Sequence, residues 1–140
     1  LRTRHQFGLL PRERGLLAPR RTQLRGLLAG DRGQRLLDVA ALVAYTSSGS
    51  SALRMARERP RAPIVGMTPL RGTARRLALV WGVNPVLCHD VASVAEMTEV
   101  ATATVSRMGF ASSGQTVVIA AGMPFGTAGT TNLLRIAQID

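Results

Sequence analysis

The sequence predicts an α/β fold, with a doubly wound, mostly parallel sheet of about five strands in three layers and an antiparallel edge strand. From residue 36 onward, short apolar runs typical of buried strands alternate with segments of helical periodicity. The last two strand-like runs are separated by a loop too short for a helical crossover. The final strand is therefore expected to run antiparallel to its neighbour, at one edge of the sheet.

The predicted strands are short and apolar, which is the pattern of strands buried on both faces. In chain order they are residues 41–45, 62–68, 83–88, 115–122 and 132–139.

Three segments between these strands have helical periodicity. In "SSALRMARER" the apolar residues Leu53 and Ala56 are spaced as on one helical face, and Pro60 ends the helix. The predicted helix in residues 70–82 places Leu70, Ala74, Leu77 and Trp81 on one face, with Gly82 as its C-cap and Trp81 packed. The longest helix lies in residues 91–110, and its apolar stripe is Val94, Met97, Ala101, Val105 and Met108.

The chain divides into an Arg-rich segment, residues 1–35, and the α/β domain, residues 36–140. The net charge of +10 is concentrated in the first segment, where nine Arg stand against Glu13 and Asp31. Residues 1–35 fit a basic arm for nucleic acid, a presequence, or an out-of-frame or truncated stretch ahead of the domain. The abrupt change of composition favours the last. Nucleic-acid binding is not favoured, because Phe7 is the only aromatic residue available there for stacking.

Several classes of function are excluded or disfavoured by composition. The sequence contains no lysine, which excludes a Lys nucleophile, a Schiff base or a P-loop lysine on this chain. A single cysteine, Cys88, excludes an internal disulfide and fits a cytoplasmic protein. One Cys and two His, His5 and His89, do not by themselves make a metal site. No apolar run approaches the ~20 residues of a membrane span.

The stretch "YTSSGSSA" follows the first predicted strand and precedes a helix. Its hydroxyl groups and backbone N–H groups, with no acidic residue, have the composition that binds an anion, most often a phosphate. The candidate binding residues are Thr46, Ser47, Ser48, Gly49, Ser50 and Ser51. The alternative is an ordinary Ser/Thr cap on the helix. Arg54, one turn further on, is either a charged contact or a solvated side chain.

A second unusual loop, residues 122–131, is rich in glycine and threonine and also follows a strand. In a doubly wound sheet, ligands bind at the carboxyl ends of the strands. Both loops are expected at that end, and this convergence favours the phosphate site over the cap. From the second loop, Gly126, Thr127 and Gly129 are the candidate binding residues.

No catalytic centre is visible in the sequence. Cys88, His89 and Asp90 are consecutive, so their side chains point in different directions, whereas a catalytic set needs mutual hydrogen-bond reach. We assign no catalytic residue and no metal ligand.

Three separated stretches resemble the C-terminal domain of bacterial pyruvate kinases in sequence and order. They are "TSSGSSALRMARERPRAPIVGMTP", "TARRLALVWGVNPVL" and "TVVIAAGMPFGTAGTTNLLRI". The resemblance covers residues 38–139. It implies a regulatory and assembly domain of an enzyme that transfers phosphoryl from phosphoenolpyruvate to ADP in glycolysis. The catalytic barrel of that enzyme, with its magnesium and potassium ions, is not in this chain, so no cofactor is expected here.

The resemblance also implies a ligand and a partner. In the family, the turn corresponding to residues 46–51 binds the phosphate of a sugar phosphate or a nucleoside monophosphate. Relatives that bind a bisphosphate have Trp and Arg where this chain has Met123 and Pro124, so a sugar monophosphate or AMP-like effector is expected. The last strand, residues 132–139, pairs across a subunit boundary in the family's tetramer, which predicts a homo-oligomer. A free-standing module binding small anions, and a nucleic-acid-binding protein acting through its basic arm, are the alternatives.

Overall fold

The computed structural model describes residues 38–127 and 131–140. The predicted segment 1–35 and the candidate residue Gly129 lie outside these described residues. The elements, in chain order, are β1 (Val39–Tyr45), α1 (Ser50–Arg57), β2 (Ile64–Thr68), α2 (Arg71–Leu77), β3 (Val83–Leu87), α3 (Val94–Arg107), β4 (Thr116–Ala121) and β5 (Leu133–Gln138).

The strands form one sheet in the order β3-β2-β1-β4-β5. The neighbours β3, β2, β1 and β4 run parallel, while β5 runs antiparallel to β4 at the edge. This arrangement confirms the predicted α/β fold with its antiparallel edge strand. The order reverses direction at β1, because the chain proceeds first toward β3 and then returns to add β4 on the other side of β1.

The sheet is buried on both faces, which explains why the central strands are apolar without alternation. Ala41, Val43 and Tyr45 of β1 point into one core cluster with Met97 and other residues of α3. Leu42 and Ala44 point into a second cluster with residues of α1 and α2. Helices therefore cover both faces, and the three-layer prediction is confirmed.

The helix α3 follows its sequence pattern closely. Ser93 is its N-cap: its Oγ accepts a hydrogen bond from the Glu96 N–H, and the Glu96 carboxylate accepts one from the Ala92 N–H. This is a capping box in which the Glu96 carboxylate reaches the N–H of the residue before the N-cap. Met97, Ala101 and Val105 are buried, and Val94 and Met108 pack against the same cluster, which confirms the predicted stripe.

The predicted faces of the two shorter helices are confirmed only in Ala56 and Leu77, which pack in the second core cluster. Leu53 of α1 is 42% exposed, and Ser51, Ala52 and Met55 form the buried face instead, with only Ala56 of the predicted pair packed against the core. Two residues of this face, Ser51 and Ala52, are small, so the face is a weaker signal in sequence than a leucine.

The helix α2 is shorter than predicted. It ends at Leu77, with Ala78 as its C-cap, so Gly82 lies in the following turn and Trp81 lies beyond the helix. Leu70 and Trp81 are 51% and 77% exposed. Trp81 instead stacks with a cation, since the Arg59 guanidinium lies 5.9 Å from its ring centroid. Residues 77–81 are apolar and keep the helical spacing in sequence, although they form a turn after Leu77. The predicted helix is therefore too long.

Candidate functional site

A narrow cleft lies where the loops after β1 and β4 meet. These strands are parallel neighbours, so their carboxyl ends lie at the same edge of the sheet and their loops face each other. The cavity between the loops holds about 20 Å³, room for about one water molecule. Its lining residues are Tyr45, Thr46, Ser47, Ser48, Ser50, Ser51, Gly122, Phe125, Gly126 and Thr127.

The N-terminus of α1 opens into this cleft, and its N-cap residue has no side chain. The N-cap residue is Gly49, with φ 87°, and no side chain accepts a cap hydrogen bond there. The N-cap residue is therefore not a Ser or Thr, but the Ser48 Oγ accepts a long hydrogen bond, 3.4 Å, from the N–H of Ser50, the first residue of α1. The first N–H groups of a helix have no intrahelical acceptor and carry a partial positive charge. Those N–H groups of the first turn that have no acceptor and face the cleft would attract an anion.

The hydroxyl groups of the turn form a local network instead. Thr46 Oγ1 accepts a hydrogen bond from the Gly49 N–H at 2.9 Å, which shapes the turn. Ser48 Oγ donates to Ser50 Oγ at 3.1 Å. These hydroxyls lie within reach of one another and can exchange their partners for a ligand oxygen.

The two loops are tied to each other through Ser51. Its buried Oγ lies 2.6 Å from Thr131 Oγ1, so one hydroxyl donates to the other across the cleft. Asn132 holds the start of the second loop, because its side-chain amide accepts from the Met123 N–H at 2.6 Å and donates to the Met123 C=O at 2.8 Å. These contacts fix the positions from which the second loop faces α1.

An aromatic pair forms one wall of the cleft. The rings of Tyr45 and Phe125 meet edge to face, with centroids 5.5 Å apart. The Tyr45 hydroxyl donates to Asp90 Oδ1 at 3.0 Å and accepts from the Val91 N–H at 3.2 Å. Burial raises the pKa of the Tyr45 phenol to about 12, and the hydrogen bond to the Asp90 carboxylate adds to that increase. Tyr45 is consequently a neutral wall residue that anchors the loop preceding α3.

No charged side chain is among the described lining residues of the cleft, so attraction for an anion there would come from backbone N–H groups and hydroxyls. The described lining contains no acidic residue and no arginine. Arg54 is exposed on α1 and is not among the lining residues. An anion entering the cleft would meet amide dipoles and hydroxyl donors, with no carboxylate to repel it.

Most of the residues proposed from sequence do meet at this cleft. Thr46, Ser47, Ser48, Ser50 and Ser51 line it on one side, and Gly126 and Thr127 line it on the other. Gly49 does not line the cleft, but its left-handed conformation forms the turn. That these residues bind phosphate stays a prediction.

Two lining residues, Tyr45 and Phe125, were missed by the sequence reasoning. In the sequence, Tyr45 stands at the end of a predicted buried strand and Phe125 in the loop of residues 122–131. An aromatic residue at the carboxyl end of a strand, beside a candidate loop, was the available signal.

The consecutive Cys88, His89 and Asp90 do not form a catalytic set. Asp90 accepts from Tyr45, and His89 Nε2 lies 2.8 Å from Glu96 Oε1. Burial raises the pKa of the Cys88 thiol, with the nearby Asp90 carboxylate as a second cause, and this disfavours the nucleophilic thiolate.

The divalent metal implied for the parent enzyme does not fit the described residues. Within residues 38–127 and 131–140, no group of three or more His, Cys, Asp and Glu side chains could hold a metal ion. In the same part of the chain, no helix has the length and apolar character needed to span a membrane.

A second, larger cavity lies between the end of β3 and α3. It holds about 480 Å³, and its lining includes Val86, Cys88, Val100 and Arg107. Although it is roomier, its wall is mostly apolar and open, and it lacks the convergent backbone donors of the first cleft. The binding residues proposed from sequence line the smaller cleft and not this cavity.

The comparisons with known proteins identify the domain. The family model described as "Pyruvate kinase, alpha/beta domain" matches residues 30–137. The chain is 46% identical over 103 residues to a pyruvate kinase of Methylorubrum extorquens, covering 74% of this chain and 22% of that protein. A pyruvate kinase of Geobacillus stearothermophilus is 36% identical over 150 aligned positions, covering 100% of this chain and 26% of that protein. The chain thus spans about a quarter of the length of the relatives it matches.

Proposed function

The chain belongs to the pyruvate kinase alpha/beta domain family, and on this premise we propose that it is a regulatory and assembly domain that binds a phosphorylated effector in the cleft at α1. The observation that carries the proposal is the helix N-terminus with glycine at its N-cap, opening between two loops that carry hydroxyl groups, with no acidic residue in the described lining. The phosphate would accept hydrogen bonds from the N–H groups of the turn and from its hydroxyls.

The lining favours an effector with one phosphate. With no arginine in the described lining, a second phosphate would have no cationic partner there. The Tyr45–Phe125 wall offers an apolar surface to a sugar or a base attached to that phosphate. A sugar monophosphate or an AMP-like nucleotide has this chemistry.

Binding would open the cleft. A phosphate group needs more space than the single water molecule that about 20 Å³ accommodates. Widening the gap between the turn and Thr127 would supply that space, and the exposed Gly126, with φ 83°, lies beside it. Effector binding would then displace the second loop.

Assembly would use the edge strand β5. Its outer edge is not paired within the described sheet, and Ile136 on this strand is 51% exposed. An unpaired edge strand with apolar side chains favours pairing with another chain. A homo-oligomer joined through β5 would bring two copies of the regulatory domain together.

The activity of the whole protein is part of this proposal. The relatives are pyruvate kinases, and we infer that the parent protein transfers phosphoryl from phosphoenolpyruvate to ADP in glycolysis. The catalytic groups and the magnesium and potassium ions would belong to a part of the parent outside this chain. A single cysteine fits a cytoplasmic location.

Thermal unfolding with candidate effectors tests the binding proposal. The full chain would be melted with AMP, ribose 5-phosphate, glucose 6-phosphate and inorganic phosphate. An effector at 100 times its Kd should stabilise the fold by about 2.7 kcal/mol, a shift of several degrees. The shift should disappear in Ser51→Val and persist in Ser106→Val, a control on the exposed side of α3. Unchanged melting with all four compounds would contradict the proposal.

Light scattering after size-exclusion chromatography tests the assembly proposal. Ile136→Arg should convert an oligomer to a monomer, because it places a charge on the exposed face of β5. Ser106→Arg, which adds the same charge on the exposed side of α3, is the matched control and should leave the mass unchanged. A monomeric wild-type chain would contradict assembly through this edge.

A further inference from the structure

We propose that Thr73 and Arg76 of α2 are positioning residues for the anion site, holding the turn at residues 46–51 so that its N–H groups face the cleft. This inference rests on the effector site proposed above and adds residues that do not line it. The two side chains act from behind the turn, through its carbonyl groups.

A directed chain of hydrogen bonds joins α2 to the turn. The Thr73 hydroxyl donates to the Ser47 C=O at 2.7 Å. Arg76 Nη2 donates to Thr73 Oγ1 at 3.0 Å. Because arginine has no acceptor, the Thr73 oxygen receives from Arg76 and its one proton goes to Ser47. The same Arg76 nitrogen lies 3.4 Å from the Ser48 C=O, so the guanidinium also holds the next peptide.

These contacts determine where the amide groups point. A trans peptide is planar, and its N–H and C=O point in opposite directions. Because the Ser47 C=O faces α2, the Ser48 N–H faces away from α2. Because the Ser48 C=O faces Arg76, the Gly49 N–H also points away, and it does reach Thr46 Oγ1.

The sheet order places the cleft on the side opposite α2. The strand β1 lies between β2 and β4. The helix α2 follows β2, whereas the second loop of the cleft follows β4. The Ser48 N–H, which points away from α2, consequently points toward the cleft that Ser48 lines, where an anion would accept its hydrogen bond; the Gly49 N–H is already bonded to Thr46 Oγ1.

The turn is also seated against α2 by close packing. A Cβ atom added to Gly49 would lie 3.3 Å from Leu77 Cδ2 and 3.4 Å from Thr73 Cγ2. Thr73 is 2% exposed, so its hydroxyl has no ready exchange with bulk water. The turn is therefore held by contacts that leave it little freedom to rotate its peptides.

Isothermal titration of the full chain with ribose 5-phosphate and with inorganic phosphate tests the proposal. Thr73→Val removes the hydroxyl donor at nearly constant volume, and Thr73→Ser restores it. Thr104→Val changes an equally buried threonine on α3, on the other face of the sheet, and is the matched control. Arg76→Met removes the guanidinium and retains most of the apolar stem.

The loss of one hydrogen bond that orients the turn should weaken binding about fivefold to tenfold in Thr73→Val and in Arg76→Met. Thr73→Ser should recover an affinity within about twofold of wild type, and Thr104→Val should retain it even where its melting temperature falls. Hydrogen exchange of the ligand-free protein should show faster exchange of the Gly49 amide in Thr73→Val.

The outcomes separate this inference from the function on which it rests. Equal affinity of wild type and Thr73→Val for ribose 5-phosphate would overturn the positioning role and leave the effector site intact. If Thr104→Val weakened binding of ribose 5-phosphate as much as Thr73→Val, the positioning role would also be overturned, since general destabilisation of the fold would explain both losses of affinity. Failure of wild type to bind either compound would overturn the effector site, and the positioning role with it.

Discussion

Replacement of Gly49 by alanine tests how the turn is built. Gly49 has φ 87°, and a left-handed conformation costs a residue with a Cβ about 1–2 kcal/mol. The added Cβ would also lie 3.3 Å from Leu77 Cδ2, closer than ordinary contact, and overpacking of this kind costs about 1–3 kcal/mol. Gly49→Ala should therefore lower the free energy of unfolding by about 2–5 kcal/mol.

Gly109 provides the matched control. Its φ is 73°, but an added Cβ would meet nothing within 4 Å. Gly109→Ala should cost only the conformational part, about 1–2 kcal/mol. Gly72, near the start of α2, has open space and no positive φ, so Gly72→Ala should be neutral or stabilising by up to about 1 kcal/mol.

Urea unfolding followed by circular dichroism would measure the three variants against wild type. The difference between Gly49→Ala and Gly109→Ala isolates the contact of the turn with α2. Equal losses in the two variants would refute the packing of the turn against Thr73 and Leu77.

Three further predictions concern single side chains. Because burial raises the pKa of Tyr45 to about 12 from its ordinary value of 10.0, the stability that its neutral form contributes is present below pH 10 and lost as the pH rises toward 12. Ultraviolet titration of this single tyrosine would check the pKa, and Tyr45→Phe should flatten the stability profile in that window; a midpoint near 10 would contradict the buried hydrogen-bonded phenol. Ser93→Ala should destabilise the fold by about 1 kcal/mol through loss of the α3 cap, measured by urea unfolding, and no loss would contradict the capping box. Cys88 should react with iodoacetamide more slowly than a cysteine in a short peptide, because burial raises its pKa, and an equal rate at neutral pH would contradict its protected environment.

The local patterns of apolar residues predicted the sheet well, because they depend only on which faces of a strand or helix are buried. Strands buried on both faces give continuous apolar runs, and the long stripe of α3 repeats over enough turns to be unambiguous. The position of the site followed from topology, since parallel strands bring the loops after them to one edge. Predicting these features requires no knowledge of particular tertiary contacts.

The missed features depend on tertiary contacts. The end of α2 at Leu77 is set by the turn into β3, while the apolar residues that follow maintain a helical spacing in sequence. Thr73 supports the turn through Ser47, 26 positions away in the sequence, and Arg76 supports it through Ser48, 28 positions away. No local sequence pattern indicates these contacts. Tyr45 belongs to the site only because Phe125 and Asp90 come to lie beside it.

Amide chemical shifts of the ¹⁵N-labelled chain during a titration with ribose 5-phosphate would test the central claim most directly. The account predicts saturable changes concentrated in residues 46–51 and 122–127, with the largest at the N-terminus of α1. The same titration of Ser51→Val should show much weaker changes. Saturable shifts centred on the exposed arginines of α1 and α2, or no saturable shifts at all, would contradict an effector site in the cleft.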